Sequence, residues 1–306
     1  MTAEGTWGGS TIPGSEWTVE WGMVCDRGSV RPENQDATLL RLPERVVQLP
    51  TAESLERPQG GRSVLNFTAE DDGAPSGRPS DLLALVADGM GGPPGGAQAS
   101  QIIVRTVEEA LAHVQEFEPP VFLQRLVERC NQAIHSEAHA RGLIGIGSTL
   151  TLVVLSGAQA HLCHIGDSRC YRIRPGEGKL EQWSRDQNVA SQLVEEGVLS
   201  VEEARNHPSS HALTQAVGLG KPLVPQLDSV PLSSGEEIFM LCSDGLLRVV
   251  EDVEILAAFT RQRPADSGES ASMQAAAEHL LDLANRRGSP DNVTILSLRL
   301  QPRDEG

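Results

Sequence analysis

The sequence predicts an α+β domain in which strands and helices form separate blocks. Short apolar runs bounded by turn residues are typical of strands, and two long stretches with apolar residues at helical spacing follow one another directly. The sequence lacks the repeating strand-helix-strand alternation that favours a parallel sheet. With 306 residues, 39% of them hydrophobic, the chain can bury a sizeable core. We therefore expect one domain over residues 18–302, with a flexible tail at 1–17 and a short tail at 303–306.

The first predicted elements are two strands and an insertion. Residues 17–24 and 37–42 have the composition of strands, and the segment 1–17 shows no hydrophobic period. Residues 42–80 carry five of the 19 prolines together with mixed charges, which predicts an inserted loop with a short strand at 64–67. A connection of this length inside a domain is uncommon, and its role is not evident from the sequence.

The remaining elements follow in a regular order. A buried strand at 82–87 precedes two helices, at 97–114 and 121–140. Four short strands joined by turns then predict an antiparallel meander, at 149–155, 160–165, 170–174 and 180–183. The rest of the chain predicts short helices at 186–196 and 201–205, a strand at 237–242, an amphipathic helix at 273–286 and a last strand at 293–300.

Composition excludes several classes of protein. The net charge of -17 disfavours binding to nucleic acid or to anionic membranes. No apolar run approaches the roughly 20 residues of a membrane-spanning helix, and residues 1–15 do not resemble a secretory signal. We therefore expect a soluble, cytoplasmic protein. The five cysteines are odd in number and include no CxxC pair, so a disulfide framework or a zinc site is not expected.

Four aspartates share one setting, because each stands at the end of a predicted strand. They are Asp88, Asp167, Asp244 and Asp291. One Asp-Gly at a strand end is an ordinary turn signal. Four carboxylates beside apolar runs are different, because they would repel one another at a shared sheet edge unless cations neutralised them. Oxygen-only ligands favour Mg²⁺, Mn²⁺ or Ca²⁺ over zinc.

A second candidate group lies before the second predicted strand. Arg31 stands five residues ahead of Asp36, so a cation and a carboxylate are expected close together. A surface loop with a weak salt bridge would explain this pair alone. Beside a carboxylate-bound metal pair, however, a guanidinium suits a phosphoryl group, since its planar fork binds two phosphate oxygens.

These residues occur in motifs whose order resembles the PPM-type, or type 2C, serine/threonine protein phosphatases in their bacterial form. The resemblance covers roughly residues 20–300. It includes RPENQD at 31–36, DGMGG at 88–92, GST at 147–149, GDSR at 166–169, SDGL at 243–246 and PDNVT at 290–294. Each motif is short, but together in this order they are specific.

The resemblance implies an α-β-β-α sandwich, two packed antiparallel sheets flanked by helix pairs, with a metal site at one end. It implies two Mn²⁺ or Mg²⁺ ions that activate water for hydrolysis of phosphoserine and phosphothreonine in proteins. A third, weaker ion would lie at Asp167, and Arg31 would bind the phosphate. The ligands of the first two ions would be Asp36, Asp88, the Gly89 carbonyl, Asp244 and Asp291. The segment from Asp186 to about Leu213 would be a mobile flap.

The same resemblance implies phosphoprotein substrates and opposition to a Hanks-type serine/threonine kinase. We also expect a monomer. The sequence departs from the family pattern at Arg248, where an Asp is usual, at Pro93, Pro94 and Ala97, and at Gln215. Arg248 is expected to weaken a metal site or retune bound water. Arg248 also favours the alternative that the protein is a pseudophosphatase, which would bind phosphoproteins with weak or no turnover. A calcium-binding structural protein is disfavoured, because no contiguous DxDxDG loop occurs.

Overall fold

The computed structural model describes residues 17–42, 45–47, 63–64, 82–92, 95–112, 118–156, 159–205, 207–219, 222–260 and 272–302. Apart from Trp17, which begins the first strand, the two predicted tails lie outside the described residues. Most of the predicted 42–80 insertion also lies outside them. None of the helices in the described ranges is long and apolar enough to cross a membrane.

The described strands are β1 (Trp17–Asp26), β2 (Asp36–Leu42), β3 (Arg45–Val47), β4 (Ser63–Val64), β5 (Leu82–Met90), β6 (Gly147–Ser148), β7 (Leu150–Ser156), β8 (Gln159–Ile165), β9 (Arg169–Arg174), β10 (Lys179–Gln182), β11 (Gln226–Pro231), β12 (Glu237–Cys242) and β13 (Val293–Pro302). The α-helices are α1 (Gly95–Ala112), α2 (Pro119–Arg141), α3 (Val189–Glu195), α4 (Val201–Arg205), α5 (Asp244–Leu247), α6 (Asp252–Thr260) and α7 (Met273–Arg286), with 3₁₀ turns at Pro175–Glu177 and Pro208–His211.

The strands form two antiparallel sheets. Within the described residues, one sheet has the order β10-β9-β12-β13-β1-β4 and the other β11-β8-β7-β5-β2-β3, with β6 paired to the end of β5. The long β1-β13 ladder joins the two ends of the domain, because Trp17 pairs with Pro302 and Asp26 with Val293. The meander predicted for residues 149–183 is divided between the two sheets.

Strand β5 shows why the sheets pack between helices. Its even-numbered residues, among them Leu82 and Val86, lie in the apolar core between the two sheets. Its odd-numbered residues, among them Leu83 and Leu85, pack into a second core with α1 and α2. Both faces are therefore buried, which explains the continuous apolar run in the sequence. A third core joins the other sheet to α5, α6 and α7, so the predicted α-β-β-α sandwich is confirmed.

Several boundaries differ from the predicted ones. The helix predicted from residue 186 begins at Val189, because the Asn188 side chain accepts a hydrogen bond from the Ser191 amide at 2.8 Å and caps it. The predicted strand at 64–67 overlaps β4 only at Val64, and 65–67 lie outside the described residues. Strands β3 and β4, both within the predicted insertion, pair with β2 and β1. Strand β11 and helices α5 and α6 were not predicted.

Candidate functional site

The predicted aspartates meet at one end of the sandwich. Asp36 begins β2 and is the cross-strand partner of Asp88 in β5, because the strands are antiparallel. Asp244 follows β12 and Asp291 precedes β13, two neighbouring antiparallel strands of the other sheet. A cleft of about 200 Å³ opens at this end. The charged residues lining it are Arg31, Asp88, Asp167, Asp244, Arg248 and Asp291, together with His211.

Asp36 is buried and held in place by two hydroxyl groups. Its Oδ2 accepts hydrogen bonds from Ser243 Oγ at 2.7 Å and from Thr294 Oγ1 at 2.6 Å. Its Oδ1 is buried and has no hydrogen-bond partner among the described residues. Burial raises the pKa of Asp36 to about 7, the two hydroxyl donors oppose this shift, and the charges of Asp244 and Asp291 add to it.

Asp88 and Gly89 are positioned by backbone contacts. The Asp88 amide donates to Thr149 Oγ1 at 2.9 Å, and the Asp88 carbonyl accepts from the Thr149 amide at 2.9 Å. A Cβ at Gly89 would lie 2.0 Å from the Gly96 carbonyl oxygen, so the close approach of α1 to β5 requires glycine there. Burial, followed by the charges of neighbouring aspartates, raises the pKa of Asp88 well above its usual value.

Two arginines form ion pairs with the carboxylates on the other side of the cleft. Arg31 donates from Nε to Asp291 Oδ1 at 2.6 Å and from Nη2 to Asp291 Oδ2 at 2.7 Å. Arg248 Nη2 lies 2.6 Å from Asp244 Oδ2 and 3.2 Å from Asp291 Oδ2. Burial alone would raise the pKa of Asp291, but the hydrogen bonds and charge of Arg31 and the charge of Arg248 lower it. Arg31 thus forms its ion pair with Asp291, a partner that the sequence did not indicate.

Asp167 lies in the turn between β8 and β9. It is buried, and burial raises its pKa well above the usual value, as do the charges of Asp244 and Asp186, whereas Arg248 opposes the shift. The structure thus brings all five predicted aspartates and Arg31 to one end of the fold.

Asn292 has a structural function at the site that was not predicted. Its side-chain amide donates to the carbonyls of Arg27 at 2.9 Å and Glu33 at 3.0 Å, and its Oδ1 accepts from the Gln35 amide at 2.9 Å. One buried side chain therefore ties the segment that carries Arg31 to β13. The motifs PDNVT, which contains Asn292 and Thr294, and SDGL, which contains Ser243, could have suggested that these residues have a role. Their hydrogen-bond partners could not be predicted, because those depend on how the strands pair.

The two ends of the predicted flap are held together by backbone contacts. Asn188 and Leu213 form an isolated antiparallel bridge, so the ends of the intervening segment lie side by side. Arg169 binds Asp186 through Nε and Nη2, at 2.9 and 2.7 Å, which anchors the start of the segment to β9. Mobility of this segment stays a prediction.

The histidines on β8 have structural surroundings. His164 is fully buried, its Nδ1 lies 2.9 Å from Thr151 Oγ1, and burial lowers its pKa to about 4. His161 Nδ1 lies 2.7 Å from Ser229 Oγ.

The donor chemistry of the site fits a hard divalent cation. The candidate ligands are oxygens, and Asp36 Oδ1 and Asp244 Oδ1 are buried without hydrogen-bond partners among the described residues. Burial raises the pKa of Asp36, Asp88, Asp167 and Asp244, so each carboxylate is costly to ionise without a cation nearby. A bound Mn²⁺ or Mg²⁺ would favour the ionised form of these carboxylates and would give both unpartnered oxygens a partner.

Comparison with known proteins agrees with this geometry. The chain is 37% identical over 230 residues to the serine/threonine protein phosphatase PstP of Mycobacterium tuberculosis, which covers 74% of this chain and 41% of PstP. It is 31% identical over 231 residues to the protein phosphatase PhpP of Streptococcus pneumoniae, covering 74% of this chain and 89% of PhpP. The chain therefore spans less than half the length of PstP.

The fold comparison leads to the same group of proteins. A crystal structure of the PstP catalytic domain in complex with two manganese ions matches 94% of this chain and 100% of that domain, with a TM-score of 0.70 and 27% identity. The family model described as protein phosphatase 2C matches residues 68–282. The chain therefore belongs to the protein phosphatase 2C family.

Proposed function

We propose that the protein is a metal-dependent phosphatase that hydrolyses phosphoserine and phosphothreonine in proteins. The observation that carries the proposal is that four aspartates line one cleft and a fifth, Asp36, pairs across the strands with Asp88, while two buried carboxylate oxygens have no partner among the described residues. A binding protein without turnover would not need so many costly carboxylates in place.

Two Mn²⁺ or Mg²⁺ ions would be held by Asp36, Asp88, the Gly89 carbonyl, Asp244 and Asp291, with a third ion at Asp167. The PstP catalytic domain was solved with two manganese ions, which supports the first two of these sites. When bound, the ions would supply an activated water that attacks phosphorus without a phosphoenzyme. The chain itself contributes the orientation of the ligands, because Ser243 and Thr294 fix Asp36.

Arg31 would bind the substrate phosphate. Its guanidinium already forms a two-point contact with a carboxylate, and the same planar fork matches two phosphate oxygens. The side chain is 46% exposed, so it can exchange Asp291 for a ligand entering from solvent.

We further propose that the substrates are phosphoproteins, that a Hanks-type serine/threonine kinase supplies them, and that the protein acts as a monomer in the cytoplasm. Its relatives named PstP and PhpP are bacterial protein phosphatases. The net charge of -17 disfavours a nucleic-acid partner or an anionic membrane. Size-exclusion chromatography with light scattering tests the monomer, and phosphoproteomics of a deletion strain tests the substrates.

Hydrolysis of p-nitrophenyl phosphate and of a phosphothreonine peptide, with Mn²⁺ and with EDTA, tests the reaction. We expect Mn²⁺-dependent turnover that is lost in Asp244→Ala and kept in Glu128→Ala, which removes an exposed carboxylate from α2. The absence of Mn²⁺-dependent turnover in the wild type, or unchanged turnover in Asp244→Ala, would contradict the proposal. Peptide binding without turnover would instead favour the pseudophosphatase.

A further inference from the structure

The guanidinium of Arg248 occupies the position between two carboxylates of the cleft. Its Nη2 is 2.6 Å from Asp244 Oδ2 and 3.2 Å from Asp291 Oδ2, so a single nitrogen bridges them. Its charge also acts on Asp167. A positive group thus already sits among the carboxylates that the proposed function assigns to metal ions.

The local sequence places Arg248 there. It is the C-cap residue that follows α5, still in helical conformation, and stands four positions after Asp244, so both side chains extend from the same helical face. Its Nε is buried and has no hydrogen-bond partner among the described residues. Besides the two carboxylates, the guanidinium makes one weak contact within the described part of the chain, 3.4 Å from Nη1 to His211 Nε2. The two carboxylates are therefore the main groups that fix its position.

The arrangement has a consequence for metal binding. In the part of the chain that the structure describes, no three Asp, Glu, His or Cys side chains are assembled to hold one ion as they stand. Asp291 accepts hydrogen bonds from Arg31 and forms an ion pair with Arg248, and Asp244 accepts a hydrogen bond from Arg248. An ion that takes Asp244 Oδ2 or Asp291 Oδ2 must separate that oxygen from Arg248, and an ion at Asp244 Oδ1, which has no partner among the described residues, still lies beside the charge of Arg248.

We propose that Arg248 is a resident counter-ion that competes with divalent metal ions for Asp244 and Asp291. The inference rests on the proposed metal site. Arg248 stabilises the metal-free fold by neutralising buried carboxylates, and it lowers metal affinity because its ion pairs must break and its charge repels the incoming ion. The side chain is 24% exposed, which gives the guanidinium a route towards solvent.

Isothermal titration calorimetry of Mn²⁺ binding to the metal-free protein tests this proposal without relying on turnover. We expect Arg248→Gln to bind Mn²⁺ about tenfold more tightly, or better, than the wild type, because a positive charge next to the ion is removed. Arg248→Lys should bind nearly as weakly as the wild type, since it keeps the charge. Arg141→Gln is the matched control, because Arg141 forms an (i, i+4) pair with Glu137 at the end of α2, away from the cleft.

A thermal unfolding series gives the second readout. Metal-free Arg248→Gln should melt below the wild type, and Mn²⁺ should raise its Tm by more than it raises that of the wild type. Should this variant fail to fold without metal, folding restored by Mn²⁺ supports the proposal, and failure to restore it overturns the proposal.

The outcomes separate this inference from the proposed function. Equal or weaker Mn²⁺ binding by folded Arg248→Gln overturns the counter-ion role while the metal site stands. The absence of Mn²⁺ binding in wild type and variants alike overturns the metal site itself, and the counter-ion role with it.

Discussion

Thr294→Val is expected to impair metal binding without disturbing the fold. Thr294 Oγ1 donates a 2.6 Å hydrogen bond to Asp36 Oδ2 from within β13, and its hydroxyl also lies 3.0 Å from Cys25 Sγ. Valine keeps the side-chain volume and the preference for a strand, so the change removes chiefly the hydroxyl. Asp36 then keeps one hydroxyl donor, Ser243.

The size of the effect follows from the type of hydrogen bond. A hydrogen bond to a charged group contributes about 1.5–3 kcal/mol, which corresponds to roughly 10–100-fold in a binding constant. Loss of a group that orients a metal ligand also typically costs about 10–100-fold in affinity or activity. We therefore expect the Mn²⁺ concentration for half-maximal p-nitrophenyl phosphate hydrolysis to rise by about 10–100-fold. Saturating Mn²⁺ should restore much of the rate.

Thr38→Val is the matched control. Thr38 is also a buried strand threonine, two residues after Asp36, but among the described residues its hydroxyl bonds only to the Met23 sulfur, at 3.3 Å. Its Mn²⁺ dependence should stay close to that of the wild type. A folded Thr294→Val variant with wild-type Mn²⁺ dependence would refute the reasoning that this hydroxyl supports a metal ligand.

Three further outcomes are expected. In EDTA, the free energy of unfolding should fall by roughly 2–4 kcal/mol between about pH 4 and 7. The reason is that native Asp36, with a pKa of about 7, keeps a proton that the unfolded chain releases near its usual pKa. Urea titrations measure this free energy, and stability that rises with pH would contradict the expectation. Gly89→Ala should lower Tm and activity together, because the new Cβ would lie 2.0 Å from the Gly96 carbonyl oxygen, and a wild-type Tm contradicts this contact. Arg169→Met should destabilise the fold by about 1–3 kcal/mol, because the partly buried Asp186 loses the guanidinium and keeps only the Gln182 amide among its side-chain donors in the described residues. Unchanged urea unfolding would contradict that role.

The fold could be predicted in outline from the sequence because its signals are local. The apolar run at 82–87 marks a buried strand, and the segregation of strands and helices indicates the layered class. The edge strand β11 was missed because its side chains are largely polar or exposed and resemble loop residues. Helix α5 was missed because four residues give no period.

The candidate site shows the same division. The aspartates could be singled out from their positions at strand ends. The partner of Arg31 could not be predicted, because Asp291 is 260 positions away in the sequence and becomes a neighbour of Arg31 only through the β1-β13 ladder. Proximity along the chain suggested Asp36 instead. The roles of Ser243 and Asn292 likewise depend on contacts between β2, β12 and β13 that no local pattern encodes.

The distribution of charge shows what a metal ion would have to replace at this site. Arg31 and Arg248 contact Asp291, which is the one site aspartate whose pKa is lowered. Asp88 and Asp167 form no ion pair among the described residues, and burial raises the pKa of both well above the usual value. Without a cation, guanidinium contact would neutralise the carboxylates on one side of the cleft, and the raised pKa would favour the protonated form on the other. A divalent cation that binds across the cleft would have to replace both, so on the proposed counter-ion role metal uptake would be coupled to proton release and to movement of Arg248.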